Sequence, residues 1–518
     1  MDMFIKISTL VAFFGVMIGI GLYCRKHATD VNGFVLGGRN VGPWLTAFSY
    51  GTSYFSAVVF VGYAGQFGWK YGIAATWAGI GNALLGSLLA WAVLGRRTRI
   101  ITQHLSSATM PQFFEARFKS GALKLAASVI VFIFLIPYTA SLYNGLSRLF
   151  GMAFNIDYSV CVIVMAVLTG VYVIAGGYMA AALNDFIQGL IMIGGIIAVI
   201  AAVLNSQGGF LGALDKLGHV YDPAVSETPG VFASFFGPDP LGLLGVVLLT
   251  SLGTWGLPQM VQKFYAIKSE KAINKGMIIS TIFAAVVAGG CYFLGGFGRL
   301  FSDQIDIATG GYDSIVPTML AGLPTVLIAI VIILVLSASM STLASLVLTS
   351  SSTLTLDFIK GKLVKNMKEK TQLLTLRLLI VVFIAISVVI AIIQYKSGVT
   401  FIAQLMGISW GTLAGAFLAP FLYGLYWKRV TKAAVWVNFI FSTAFMLSNI
   451  LAKDIFPSVL QSPINAGAFC MIAGLVIVPV VSLFTKAPEK EHLDYVFSCY
   501  DRTVEVKVTD SIGEETHK

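Results

Sequence analysis

Charge is what this sequence has least of. Only 11% of its 518 residues are Asp, Glu, Lys or Arg, against roughly 25% in an ordinary soluble protein. So few polar side chains cannot cover the surface of one or several water-soluble domains, which excludes soluble-enzyme, secreted, fibrous and disordered classes. Cysteine is sparse too. Cys24, Cys161, Cys291, Cys470 and Cys499 lie far apart with no CxxC pair, so neither a disulfide framework nor a thiolate metal centre is expected. None of the five histidines lies deep in an apolar segment, which leaves a histidine proton relay or haem ligation without residues. No His/Asp, Ser/His or HExxH constellation falls in the apolar stretches, so the chain does not read as an enzyme and no cofactor is expected.

What the chain does have is apolar length. Hydrophobic residues make up 57% of it, and the mean hydropathy is +0.85. A membrane-spanning helix takes about 20 apolar residues, and thirteen such runs can be marked. The first, from Ile7 to Cys24, is followed by Arg25-Lys26 and lacks a basic leader and a small-x-small cleavage site, so it reads as a retained helix rather than a signal peptide. The others fall near 44–66, 72–95, 122–148, 157–176, 178–204, 241–265, 274–298, 323–357, 372–394, 399–425, 430–452 and 463–485. The fold class is therefore an all-α polytopic membrane protein of about 13 transmembrane helices.

Basic residues orient it. Odd-numbered loops hold 22 Lys and Arg, Lys263 counted among them, and even-numbered loops hold six. The positive side faces the cytoplasm, which puts the N-terminus outside and the C-terminus inside, in a plasma (inner) membrane. The excess of basic residues thus has its explanation in topology, and no nucleic-acid partner is expected. No loop is long enough for a soluble domain, and the polar tail from Lys486 reads as a solvated, partly flexible segment.

Three polar features interrupt the apolar spans. Asp185 is the one clear carboxylate deep inside them; with no Arg or Lys near it in the spans, a mobile cation or a proton is the expected counter-charge. Ser337, Ser341 and Ser345 recur at every fourth position of the ninth span and share one helical face. Hard oxygen ligands without thiolate or imidazole suit Na⁺ rather than a transition metal. The third feature is a matched pair of interrupted helices, Ser49 to Ser56 in the second span and Thr250 to Gln259 in the seventh, each with glycine and the latter with Pro258. Glycine and proline inside a span free backbone carbonyls for ions and solutes. Spans two and seven open two five-span units, 2–6 and 7–11, of opposite orientation. The expected organisation is a first peripheral helix in 1–30, a first five-helix repeat in 40–205, an external loop in 206–240, a second, inverted repeat in 241–427, two peripheral helices in 428–485 and a cytoplasmic tail in 486–518.

At these residues the sequence resembles the sodium/solute symporter family, which includes sodium/proline, pantothenate, sialic acid and sodium/glucose carriers. The resemblance rests on Phe34 to Arg39, Thr109 to Phe118, Gly176-Gly177 with Asn184-Asp185, Trp255 to Gln259, Met340-Ser341-Thr342, and Tyr426 to Arg429, in that order. It implies a leucine-transporter-type core of two inverted five-helix repeats with flanking helices, and sodium-coupled symport by alternating access. By motif position it implies a main sodium site of the Thr52, Phe55 and Ala338 carbonyls and the Ser341 and Thr342 hydroxyls. Some members have a second cation site, which here would comprise Asp185, Ser341 and Ser345; Ala344 departs from the pattern and removes one hydroxyl. Substrate-binding candidates are Ser53, Tyr54, Ser56, Thr254, Trp255, Gln259 and Gln404. Sodium/proline symporters commonly have Asp where this chain has Tyr54, and Thr52 to Ser56 is closer to the pantothenate and monocarboxylate branch. Thr254 stands where sugar carriers have a gating Tyr, so the expected solute is a small amino or carboxylic acid. The expected partners are that solute, Na⁺ and the lipid bilayer, the chain acting as a monomer or weak oligomer. A proton-coupled symporter using Asp185 and a non-transporting membrane sensor are the alternative readings.

Overall fold

The computed structural model describes residues 2–154, 157–364, 366–397 and 402–500, and most of these are helical, with no strand among them. The chain begins with α1 (Asp2–Cys24), followed by α2 (Pro43–Tyr54) and α3 (Ala64–Tyr71), the latter part of a helical run over Val58–His104. After α4 (Met110–Phe118) come the long helices α5 (Gly121–Phe154) and α6 (Tyr158–Ser206). The second half holds α7 (Pro240–Gly256), α8 (Pro258–Ala266), α9 (Glu270–Gly295), α10 (Thr325–Thr353) and α11 (Glu369–Ser397). It ends with α12 (Ile402–Tyr426), α13 (Lys432–Leu451), α14 (Pro463–Phe484) and the short α15 (Lys490–Phe497).

Among the described residues, ten helices are long and apolar enough to cross a membrane, or eleven if the bent pair α7–α8 is one span. The expected number was thirteen. Two of the ten contain a non-helical glycine near an expected span boundary: Gly72 at φ 63° in the Val58–His104 run, and Gly177 at φ 55° in α6. At Gly177 a side chain would meet two obstacles, a left-handed backbone and the Phe34 carbonyl oxygen 2.7 Å from its Cβ.

Both interrupted helices are present as read. α2 ends at Phe55, whose backbone is extended (φ −100°, ψ 104°). Helix resumes at Ala57, where the Ser56 hydroxyl accepts from the Val58 amide at 3.2 Å, a side-chain cap for the new start. α7 ends at Gly256, Leu257 is extended, and Pro258 opens α8 at an angle of 46°. Proline has no amide hydrogen to lose at a first helical position, so the second half starts without penalty.

Two devices hold these halves in place. At one end, the Val41 amide donates to the Ala266 carbonyl (3.1 Å) and the Lys268 amide to the Val41 carbonyl (3.0 Å), while the Arg39 guanidinium reaches the Tyr265 carbonyl at 3.3 Å. The start of α2 is thereby strapped to the end of α8. Elsewhere α3 and α9 cross at bare backbone: a Cβ on Gly68 would lie 1.9 Å from the Gly295 carbonyl oxygen, and one on Gly295 2.0 Å from the Ala64 carbonyl oxygen. Small residues permit such close approach.

The tail corrects an expectation. Lys490–Phe497 is a helix, and Val496, Phe497 and Cys499 are buried. The Tyr500 hydroxyl donates to the Arg97 carbonyl (3.2 Å), and a His104 ring nitrogen meets the Tyr495 carbonyl at 2.8 Å. This part of the tail is packed because its apolar face covers the basic end of the bundle. Residues 501–518 lie outside the described residues.

Candidate functional site

The break after Tyr54 places a carbonyl where a neighbouring helix can use it. Both the Ser341 and the Thr342 hydroxyls, from α10, donate to the Thr52 carbonyl oxygen at 3.1 Å. The same hydroxyls lie 3.2 and 3.1 Å from the Ala338 carbonyl oxygen of their own helix. Four of the five groups expected at the main sodium site therefore form one buried cluster of neutral oxygens. Neither hydroxyl reaches the fifth, the Phe55 carbonyl, which sits in the extended turn three residues on. Oxygens of this kind, clustered at a helix break and shielded from water, fit a hard monovalent cation.

The group around Asp185 differs from expectation. Asp185 is fully buried on α6, with its Oδ2 accepting from the Ser49 hydroxyl of α2 at 2.5 Å, and its Oδ1 is without a hydrogen-bond partner. The expectation of no Lys or Arg near it is wrong. Lys263 lies within α8 rather than in a loop, is 3% exposed, and its charge and that of Asp185 act on each other. The Lys263 ammonium donates to the Ser345 hydroxyl at 2.9 Å and stands 5.2 Å from the centre of the Tyr178 ring. Ser345 in turn meets the Ser53 hydroxyl at 2.7 Å. The expected second cation set is thus divided: Ser341 is bound to Thr52, Ser345 to Lys263 and Ser53, and Asp185 to Ser49.

Comparison with known proteins supplies the family. A model of the sodium:solute symporter family matches residues 34–440. A sodium/proline symporter of Staphylococcus aureus is 30% identical over 505 residues, covering 92% of this chain and 92% of that one. This chain belongs to the sodium:solute symporter family. Among solved structures, a Na⁺-coupled sialic acid symporter in a substrate-bound, outward-open state superposes with a TM-score of 0.70 over 94% of this chain and 99% of its own, at 16% identity. A nucleobase-cation-symport-1 transporter in a closed conformation gives a TM-score of 0.50 over 89% of this chain and 97% of its own, at 12% identity. The fold is that of the leucine-transporter-type carriers, the protein is a transporter and not an enzyme, and Na⁺ is its coupling ion.

Within this symporter the solute candidates separate into groups. The Thr254 hydroxyl and the Trp255 indole donate to the Gly86 and Leu85 carbonyls, both at 2.9 Å, so they anchor α7 to the Val58–His104 run. The Ser53 hydroxyl is committed to Ser345. Tyr54 donates to the Thr250 carbonyl, tying the two interrupted helices together, and its ring stacks on Trp410 with centroids 5.7 Å apart. Ser56 caps the restarted helix. Gln259 is 1% exposed, and both its amide atoms lack a partner, which makes it the candidate with most capacity to recognise a polar solute. Gln404 is half-buried on α12.

Four residues of the site were not read from the sequence: Ser49, Lys263, Tyr138 and Trp410. The Tyr138 ring meets Trp410 edge-on at 5.9 Å. Ser49 was within reach, since it precedes Ser53 by one helical turn and shares its face. Lys263 follows Gln259 by the same interval in the helix that Pro258 opens, so a helical count restarted at Pro258 finds it.

Proposed function

We propose that this sodium-coupled symporter imports a small amino or carboxylic acid, with proline as the first solute to test. The cluster of Thr52, Ala338, Ser341 and Thr342 oxygens at the broken helix carries the reading, as the main sodium site. Phe55 completes it when its carbonyl turns toward the ion. An ion there draws α10 onto the end of α2, and Gln259 and Tyr54, near the two breaks, are the groups placed to sense solute. Sodium and solute are coupled because both favour the same closed arrangement of the interrupted helices. The S. aureus relatives, named as sodium/proline symporters, support an amino acid; Tyr54 keeps a monocarboxylate or pantothenate-like acid in the test set.

The reading places the protein in the plasma membrane with its N-terminus outside and the basic, tail-covered end in the cytoplasm. A membrane potential contributes about 2.3 kcal/mol per charge per 100 mV. At about 1.4 kcal/mol per factor of ten, one sodium ion gives roughly fortyfold accumulation from voltage alone.

The experiment is uptake into proteoliposomes of radiolabelled proline, pantothenate and short monocarboxylates under an inward sodium gradient. A pH gradient without sodium serves as a second arm. Sodium-driven accumulation of one of these solutes is the expected result. Accumulation driven by the pH gradient alone would assign coupling to the proton, and no accumulation of any of them would refute the solute class.

A further inference from the structure

The structure holds a buried cation that the main sodium site does not use. Lys263 and Asp185 are both buried, on α8 and α6. Either charge alone in that setting is strongly destabilising, because burial strips it of solvation. Together they neutralise one another. No ion pair within 4 Å joins them among the described residues. The ammonium rests on Ser345, the carboxylate on Ser49, and Asp185 Oδ1 is open. An ammonium only donates, so the Ser345 oxygen accepts from Lys263 and shares a second hydrogen bond with the Ser53 hydroxyl. This orders a chain from α8 through α10 to α2.

Asp185 and Ser345 are two of the three groups expected to hold a second cation, and the charge beside them belongs to a side chain. A sodium ion entering between them would meet the ammonium at close range, where like charges repel strongly in a low dielectric. Ala344 offers no hydroxyl at the position where another ligand was expected.

We propose that Lys263 is a tethered cation occupying the place of a second sodium ion beside Asp185 and Ser345, so that this carrier moves a single sodium ion with each solute. The proposal rests on the sodium-symport reading and deepens it. The tether also joins α8 to α10 through Ser345, so the same ammonium helps to hold the interrupted helix against the helix that carries the main site.

The test uses the full-length protein in lipid nanodiscs, with thermal stability measured as sodium chloride replaces potassium chloride, which needs no solute. The wild type is expected to respond to sodium with a Hill coefficient of about one. Lys263→Gln leaves the Asp185 carboxylate without its partner; its sodium response is expected to steepen toward a coefficient of about two, with a lower melting temperature in potassium. Asp185→Asn should also lower the melting temperature. The Asp185→Asn/Lys263→Gln double variant, neutral at both positions, should recover most of the loss and keep a coefficient of about one. A wild-type coefficient near two that Lys263→Gln leaves unchanged would overturn the proposal. So would a double variant destabilised by the sum of the singles. If Lys263→Gln does not fold, the wild-type coefficient and the double variant decide. A wild type indifferent to sodium would overturn the sodium reading itself. Rescue in the double variant reports on the pairing independently of that result.

Discussion

Thr342 and Thr52 meet across the break in the first interrupted helix, the hydroxyl of one 3.1 Å from the carbonyl oxygen of the other. Ser341 supplies the same contact from one residue earlier. Both hydroxyls lie between this carbonyl and the Ala338 carbonyl of their own helix, which sets the first prediction. Ser341→Ala and Thr342→Ala should each raise the sodium concentration for half-maximal uptake by at least about tenfold, equivalent to ~1.4 kcal/mol, while membrane expression stays close to wild type. Sodium titration of uptake measures this. Unchanged sodium dependence in both variants would remove these hydroxyls from the site.

Glycine crossings give a prediction with its own control. Gly295→Ala would put a methyl 2.0 Å from the Ala64 carbonyl oxygen, whereas a Cβ on Gly289, in the same helix, meets nothing within 4 Å. Alanine favours a helix over glycine by about 1 kcal/mol, so Gly289→Ala should be neutral or stabilising. Gly295→Ala should lower the melting temperature and the yield of folded protein. Fluorescence-detected thermal unfolding of the two variants distinguishes them.

The pair Arg299–Asp222 gives a pH dependence. The guanidinium donates to the Asp222 carboxylate at 2.8 Å, and it also donates to the Trp69 carbonyl at 2.7 Å and stacks 3.8 Å from the Phe232 ring centre. That hydrogen bond from Arg299, chiefly, holds the Asp222 carboxyl below the usual carboxylate range. A depressed acid contributes stability that is present above its unfolded pKa, about 3.9, and is lost as pH falls through the folded value. The wild type should therefore be more stable than Asp222→Asn at neutral pH, with the difference shrinking below about pH 4. Melting temperatures across that range are the measurement. A difference that does not vary with pH would show that the pair's charge is not the stabilising element.

Arg117 is fully buried with no carboxylate partner among the described residues, and burial lowers its pKa to about 10, so it stays charged at neutral pH. It donates to the Gly424 carbonyl (3.0 Å) and the Trp427 carbonyl (3.1 Å), where the end of α12 leaves acceptors open. A cation is favoured at that pole of a helix. Arg117→Met preserves much of the volume but strands those carbonyls, at about 1–3 kcal/mol for each buried group left unsatisfied. A clear fall in melting temperature is expected, with only a modest further loss if Phe497, whose ring lies 5.0 Å from the guanidinium, is then replaced by alanine.

The two interrupted helices were legible because glycine, with Pro258 in one of them, falls at matching places in two apolar runs, and the hydroxyls of Ser341 and Thr342 because they sit in a recognisable motif. Lys263 was not legible in the same way. A lysine near the very end of an apolar run was counted with the loop that follows, and only the continuation of α8 to Ala266 carries it inside. Asp185 was found, but its environment was misread for that reason. The docked tail escaped because an eight-residue amphipathic helix flanked by charges has no apolar length of its own. Thr254 and Trp255 were identified as polar groups at a break, yet their hydrogen bonds to Gly86 and Leu85 show that a polar side chain beside a break can serve to fasten the helix.

The strap between Val41 and Ala266 makes the first half of one interrupted helix and the second half of the other a yoke. Its bonds are backbone to backbone, so side-chain substitution hardly loosens them. With sodium at the proposed site, a shift of α2 would be passed to α8 through this strap, without a solute molecule having to relay it. A carrier geared in this way can ready the second interrupted helix before its cargo arrives.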